Sequence, residues 1–280
     1  MKLQHLKKLV LNLISLPFLS RIWGQITRLE HPGILVQAAI KLFASHYEID
    51  MSRYEGVLES YDSLCRFFTR RLDFSKVSIP GNDSEFLSPC DGTVSVCELT
   101  ESDTATQVKG RTYTISGLIR KELNFGDGYR LITIYLSPSN YHRFHVPVES
   151  EARAYLHTGW RLFPVNRLAV NSIDELFVRN ERVVVKFQHR DFEYFYTAVG
   201  ASFVGSIKMN FAEELAAESW QSVDCSYRQN EELGMFEMGS TIVLVVPESA
   251  VGKVLVSAGE KVSVGQPLFV LKEKHDDQAG

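Results

Sequence analysis

Near Pro80 the apolar pattern of this chain changes period. Upstream, residues recur at helical spacing. Ile34, Leu35, Ala38, Ala39, Leu42, Phe43 and His46 form one run, and Tyr54, Val57, Leu58, Tyr61, Leu64, Phe68 and Leu72 a second, with Asp50 or Ser52 available as N-cap. Downstream come short β-rich runs at 93–97, 131–136, 182–187, 193–204, 241–246, 253–256 and 267–271, punctuated by Gly, Pro, Asn and Asp. Residues 98–130 hold little periodicity and read as loop with short elements. The polar tail 273–280 is expected to fray. No internal repeat is visible. The expectation is an α+β protein, with a helical region over 1–75 and a β-rich domain over 76–280.

Composition limits what such a chain can be. With 30 Lys+Arg against 34 Asp+Glu in 280 residues, the net charge is −4, which argues against a nucleic-acid partner. No apolar run reaches the roughly 20 residues needed to cross a bilayer as a helix. The four cysteines, Cys65, Cys90, Cys97 and Cys225, lack C-x-x-C spacing, so neither a disulfide framework nor a zinc site is expected, and a reducing compartment fits.

The first 30 residues need separate treatment. They carry Lys2, Lys7, Lys8, Arg21 and Arg28 against one acid, Glu30, with Leu3, Leu6, Val10, Leu13 and Ile14 on one helical face. A secretory signal is disfavoured, because Pro17 breaks the run and no small-x-small site follows. A core helix is the plain alternative. An amphipathic segment on an anionic membrane, with Trp23 in the interface and basic residues at the headgroups, is favoured.

Several chemistries are unsupported: no P-loop, G-x-G-x-x-G, H-E-x-x-H or G-x-S-x-G pattern occurs. What remains is a set of strand-edge motifs. Ser88-Pro-Cys-Asp-Gly92 reads as a turn presenting Asp91 before a strand. Tyr141-His-Arg-Phe-His145 follows a strand and the turn Ser137-Pro-Ser-Asn140. Gly234-Met-Phe-Glu-Met-Gly-Ser-Thr241 precedes a very apolar strand. Each is ordinary alone, since Asp-Gly and Gly-Ser are common turn formers. Together they offer an acid, two histidines and a serine. A serine hydroxyl becomes a nucleophile when a histidine takes its proton and an acid holds that histidine. Asp91, one of the two histidines, and Ser240 could fill these roles.

The segment Gly234–Thr241 resembles the G-x-F-x-x-G-S-T signature of the phosphatidylserine decarboxylase family. Four further blocks resemble that family in its order: Tyr61-Asp-Ser-Leu-Cys-Arg-Phe-Phe-Thr-Arg-Arg-Leu72, Ser88-Pro-Cys-Asp-Gly92, Tyr135-Leu-Ser-Pro-Ser-Asn-Tyr-His-Arg-Phe-His145 and Leu176-Phe-Val-Arg-Asn-Glu-Arg-Val183. The similarity spans roughly residues 30–272. One departure is Met238, where the family usually has Leu, a swap of similar volume.

The resemblance implies a bacterial, membrane-associated enzyme that makes its own cofactor. Ser240 would break the Gly239–Ser240 bond by autocatalytic serinolysis, leaving chains 1–239 and 240–280 with a pyruvoyl group in place of Ser240. By resemblance His145 takes the hydroxyl proton, Asp91 orients it, and His142, with an ordinary pKa near 6.5, supplies a proton during decarboxylation. The pyruvoyl would form a Schiff base with phosphatidylserine, giving phosphatidylethanolamine and CO2 without a metal. The implied setting is the cytoplasmic side of the cell membrane, bound peripherally to anionic lipid, with the two cleaved chains associated and the whole a homodimer. Alternatives are a serine hydrolase using Asp91, His145 and Ser240 without cleavage, and a pyruvoyl decarboxylase for a related head group. A carrier module is a further rival. Gly252–Leu268 resembles half of a biotinyl/lipoyl hammerhead, but the attachment hairpin is missing, so only a barrel-sandwich-like strand arrangement is expected there.

Overall fold

The computed structural model describes residues 11–77, 82–202, 207–216, 218–237 and 240–272. The fold is mixed helix and sheet and rich in strands. Helices α1 (Pro17–Thr27), α2 (Gly33–His46) and α3 (Leu64–Phe68) precede the strands. The part of the N-terminal segment before residue 11, and the tail 273–280, lie outside the described residues.

The expected second helix does not form as one piece. Residues 51–63 make two single 3-10 turns, Met51–Arg53 and Leu58–Ser60, and only Leu64–Phe68 is α-helical. Gly56 turns the chain at φ +74°, and the Ser60 hydroxyl binds both the N–H and the C=O of Val57. Helix α3 then restarts on the Ser63 side chain, which accepts from Arg66 N–H. Asp50 does serve as a cap, but of the first 3-10 turn.

An eight-stranded antiparallel sheet dominates the rest. Its strands are β2 (Gly92–Thr100), β5 (Tyr129–Leu136), β7 (Ser150–Thr158), β8 (Arg182–His189), β9 (Phe192–Val199), β11 (Gln221–Tyr227), β13 (Ser240–Pro247) and β15 (Lys261–Val262), in the order β11-β7-β8-β9-β13-β5-β2-β15. Strand β13 lies between β5 and β9, fixed by the pairs Ser240↔Leu136 and Thr241↔Val199. Its run Ile242-Val-Leu-Val-Val246 is buried on both faces. Ile242, Leu244 and Val246 join one core, while Val243 and Val245 join the other. Two-sided burial explains why this strand reads as continuously apolar rather than alternating.

Two small sheets cover the first face: β1 (Glu85–Leu87) with β16 (Pro267–Leu271) and β14 (Val251–Val254), and β10 (Ile207–Met209) with β12 (Glu232–Phe236) and β6 (Arg143–His145). Phe86, Phe144, Phe236, Leu268 and Phe269 supply the packing. The second face carries the β3–β4 hairpin (Thr104–Val108, Arg111–Thr114) and short helices α4 (Ile115–Ile119), α5 (Arg167–Val170) and α6 (Leu176–Arg179), with Leu11 joining their core. The hairpin and α4 are the short elements within the stretch 98–130, expected to be loop with short elements. Strands β7, β11 and β12 have no counterpart in the sequence-based runs. β11 is a polar edge strand with alternate residues exposed, and β12 contains Gly234, which weakens its strand pattern. The run expected over 193–204 stops at Val199, where Gly200 N–H leaves the ladder for Glu181 O.

Helices α1 and α2 leave large apolar side chains in solvent. Phe18, Ile22 and Ile26 follow one another at i, i+4, i+8, and Ile34, Leu35 and Leu42 are exposed on α2. Among the described residues no helix is long and apolar enough to cross a membrane.

Gly234 shows how closely β12 packs. A Cβ there would stand 2.2 Å from Lys208 O and 2.8 Å from the Phe144 ring. Gly234→Ala should therefore destabilise the protein by about 1–3 kcal/mol, the cost of overpacking. Gly33→Ala, with nothing within 4 Å, should not. Urea denaturation of both variants checks this.

Candidate active site

Three strand ends meet at one edge of the large sheet. β5 ends at Leu136, β13 begins at Ser240 opposite it, and β2 begins at Gly92, with Thr93 opposite Tyr135. The chain then reverses through Ser137–Asn140. Asn140 Oδ1 accepts from Ser137 N–H at 2.8 Å and from its hydroxyl at 2.7 Å, which closes the turn. The buried guanidinium of Arg70 clamps the same turn from outside, donating to Ser139 O at 2.8 Å and Asn140 O at 3.2 Å. Residues 141–145 are thereby returned toward the strand ends. His145 N–H donates to Pro89 O at 2.8 Å and Phe236 N–H donates to His142 O at 2.9 Å. Asp91, His142, His145 and Ser240 are all buried at this edge. Gly239 and Met238 lie outside the described residues.

Ser240 is fully buried, and its hydroxyl has no hydrogen-bond partner among the described residues. Buried polar atoms are nearly always paired, and an unpaired one costs about 1–3 kcal/mol.

His142 stacks on Phe68 with ring centroids 3.9 Å apart, and neither ring nitrogen makes a hydrogen bond of good geometry. Burial, reinforced by the Arg70 charge, pushes its pKa down to about 3. The ordinary value near 6.5 assumed from sequence therefore does not hold in this closed site, where the ring is neutral at pH 7. The cause is desolvation of a cation with no partner.

His145 is held at both nitrogens. Its Nδ1 lies 2.8 Å from Asn230 O, which can only accept, so Nδ1 carries the proton. Nε2 then accepts from the Tyr141 hydroxyl at 3.0 Å. Burial lowers the pKa of this ring, and the same burial raises that of Tyr141.

Asp91 does not bond to His145. Its carboxylate accepts from Val264 N–H at 2.9 Å and from Arg53 Nη1 at 3.1 Å. Its negative charge is nonetheless felt at His145, where it favours the protonated ring. The four residues are thus gathered, but the hydrogen-bonded relay expected from an Asp–His–Ser set is not formed.

Several contributors were invisible in the chain pattern. Arg70 and Phe68 lie in the block at 61–72, whose helical spacing drew attention to packing alone. Arg53 and Asn230 carry no local signal. Arg28, after α1, pairs with buried Glu237 of the signature segment. Among the described residues no cluster of three His, Cys, Asp or Glu side chains could hold a metal ion.

The comparisons with known proteins bear on this arrangement. The family model described as phosphatidylserine decarboxylase matches residues 64–270. A phosphatidylserine decarboxylase proenzyme of Brevibacillus brevis is 36% identical over an alignment covering 95% of this chain and 99% of that protein. Proenzymes of the same name from Coxiella burnetii and Helicobacter pylori are 33% and 31% identical, each over 83% of this chain, covering 86% and 90% of their own lengths. With a family model spanning well over half of its length and relatives matched almost end to end, the chain belongs to the phosphatidylserine decarboxylase family.

Proposed function

We propose that this protein is made as a proenzyme, cuts itself between Gly239 and Ser240, and then decarboxylates phosphatidylserine to phosphatidylethanolamine. The observation that carries this reading is the buried Ser240 hydroxyl at the start of β13, unpartnered among the described residues and within the stretch that the family model matches. A nucleophile with no exposed surface suits attack on its own backbone better than attack on an external ester. That favours self-cleavage over a serine hydrolase. The domain reading follows the same lines: a helical membrane-associating region over 1–75, and a catalytic domain over 76–280 with a barrel-sandwich-like C-terminal part.

In the proposed maturation, Ser240 Oγ attacks the Gly239 carbonyl and its proton passes to His145 Nε2, displacing the Tyr141 hydroxyl. Neighbouring groups of this kind reach effective molarities of about 10⁵–10⁸ M when well oriented. The C–N bond breaks, the Ser240 amine takes a proton, and an ester links Gly239 to Oγ. Loss of the Ser240 Cα proton expels the Gly239 carboxylate. Water then converts the remaining enamine to a pyruvoyl group and releases ammonia. The Asp91 charge stabilises the imidazolium of His145 while it exists.

A pyruvoyl group at residue 240 supplies an electrophilic carbonyl able to take up the electron pair released when CO2 leaves. The buried serine it would derive from fits that origin. His142 would deliver the proton that replaces CO2. It is neutral in the closed site, so it becomes an acid only when an anionic substrate offsets Arg70 and raises its pKa.

A diacyl substrate stays in the bilayer, since each buried CH2 is worth about 0.8 kcal/mol. The reading therefore includes peripheral attachment through amphipathic N-terminal helices. The exposed Phe18, Ile22 and Ile26 support it. The cysteines, all free, suit the cytoplasmic side.

Intact mass under denaturing conditions tests the central step. Two chains divided between 239 and 240 are expected, and Ser240→Ala should give one uncut, inactive chain. An active single species with ordinary serine at 240 would overturn the reading. Replacing Phe18 and Ile22 with Ser should weaken co-sedimentation with anionic vesicles several-fold. His142 also sets a pH dependence. Between about pH 6.5 and about pH 3 the unfolded chain binds a proton there that the folded site excludes, so stability is full above that window and falls as pH drops through it. His145 acts in the same direction. In the uncut Ser240→Ala chain, urea midpoints should fall from about pH 7 to about pH 4, and adding His142→Gln should reduce that slope.

A further inference from the structure

The sheet edge that carries Ser240 also carries a concentration of positive charge. From Thr241 the ladder steps to Val199, then Arg182, then Thr158. At the spacing of neighbouring strands this is about 10–15 Å from the signature serine. A pocket of about 440 Å³ opens there on the helix-covered face, lined by Arg120, Arg161, Arg179 and Arg182 with Glu218 as its one carboxylate.

Arg182 is structural. It is fully buried and donates to the carbonyls of Gly117, Leu118, Val178 and Asn180, which fix its charge at the pocket floor. The other three are available. Among the described residues no ion pair engages Arg120, Arg161 or Arg179. Arg161 lies 4.1 Å over the Trp160 ring and its buried Nε has no partner, while Arg179 sits over Phe163 at 4.7 Å. Stacking of this kind aims guanidinium edges without neutralising them. Glu218, which accepts from the Thr158 hydroxyl at 3.0 Å, offsets only one of the four arginine charges. Like charges held together in this way call for an anion, and planar guanidinium forks match phosphate oxygens.

The surroundings indicate where that phosphate comes from. Trp160 is 64% exposed, and an amphipathic ring of this kind favours the membrane–water interface. Arg161 also donates to Asn12 O at 3.4 Å and Ser15 Oγ at 3.3 Å. This joins the pocket to the N-terminal helical segment, where Leu13 and Phe18 are exposed. We infer that the arginine pocket holds the headgroup phosphate of an anionic phospholipid beside the one being processed, as a second anchor on the bilayer. The inference builds on the membrane reading above. It adds a site on the catalytic domain itself, outside residues 1–30.

The test uses vesicles of phosphatidylcholine with and without phosphatidylglycerol. Phosphatidylglycerol has neither amine nor carboxylate, so its binding reports on the pocket whether or not the chain decarboxylates phosphatidylserine. The full-length protein should bind the anionic vesicles more tightly. The triple variant Arg120→Gln/Arg161→Gln/Arg179→Gln should lose on the order of a hundredfold, at roughly fivefold per arginine. The matching Lys triple, which keeps the charge and controls for misfolding, should retain most of the binding. In a Trp23→Phe/Trp220→Phe background, Trp160 fluorescence should shift to the blue on the anionic vesicles only. Equal binding by the Gln triple and the parent would overturn the inference. So would a parent protein that does not distinguish the two vesicles.

Discussion

Everything at the catalytic edge is positioned by a strand that has no solvent face. β13 is wedged between β5 and β9 and buries side chains into both cores. Such a strand cannot slip by one residue without exchanging its two sets of apolar side chains. Its first residue, Ser240, is therefore fixed opposite Leu136 with the precision of the core itself. Sites built on strands and helices hold their geometry more closely than sites on loops. Here the loop residues are made rigid as well, because Arg70 and Asn140 tie the 137–140 turn into place.

That rigidity has an electrostatic counterpart. The edge is dry, so its titratable groups are read through desolvation first. Burial holds both histidines neutral, reinforced at His142 by the Arg70 charge, while the bonds of His145 specify its tautomer. Asp91 is bonded to Arg53 and a backbone N–H rather than to His145. Charge can therefore appear on an imidazole only when a reaction or a substrate puts it there. Arg28 paired with Glu237 adds a link of another kind, connecting the helix that exposes Phe18 and Ile22 to the segment just before the proposed cleavage point.

Much of this was legible in the chain, for identifiable reasons. Two-sided strands such as β5, β8 and β13 announce themselves as apolar runs between turns. Asp91, His142, His145 and Ser240 stood out through their motifs, and all four meet at one edge. The helical reading of 54–72 holds only over 64–68, because spacing cannot see a hydroxyl. Ser60 captures the Val57 backbone, and Gly56 adopts a positive φ. Edge strand β11 and glycine-bearing β12 lack the pattern of a buried strand. The partners of the site residues were out of reach for a different cause. The bonds from Tyr141 and Asn230 to His145, and from Arg53 to Asp91, depend on how elements dock, and docking leaves no local trace.

The central place of β13 also bears on the protein's lifetime. A break just before residue 240 would leave the short fragment supplying the middle of the sheet, one of its edge strands in β15 and, through β14 and β16, part of its cover. The two pieces would stay together while folded, but once separated they could reunite only by collision, each with its apolar surface bare. Assembly would thus be unimolecular in the uncut chain and bimolecular ever after. Such a molecule persists through its barrier to unfolding more than through reversible stability, and heat or denaturant would retire it for good.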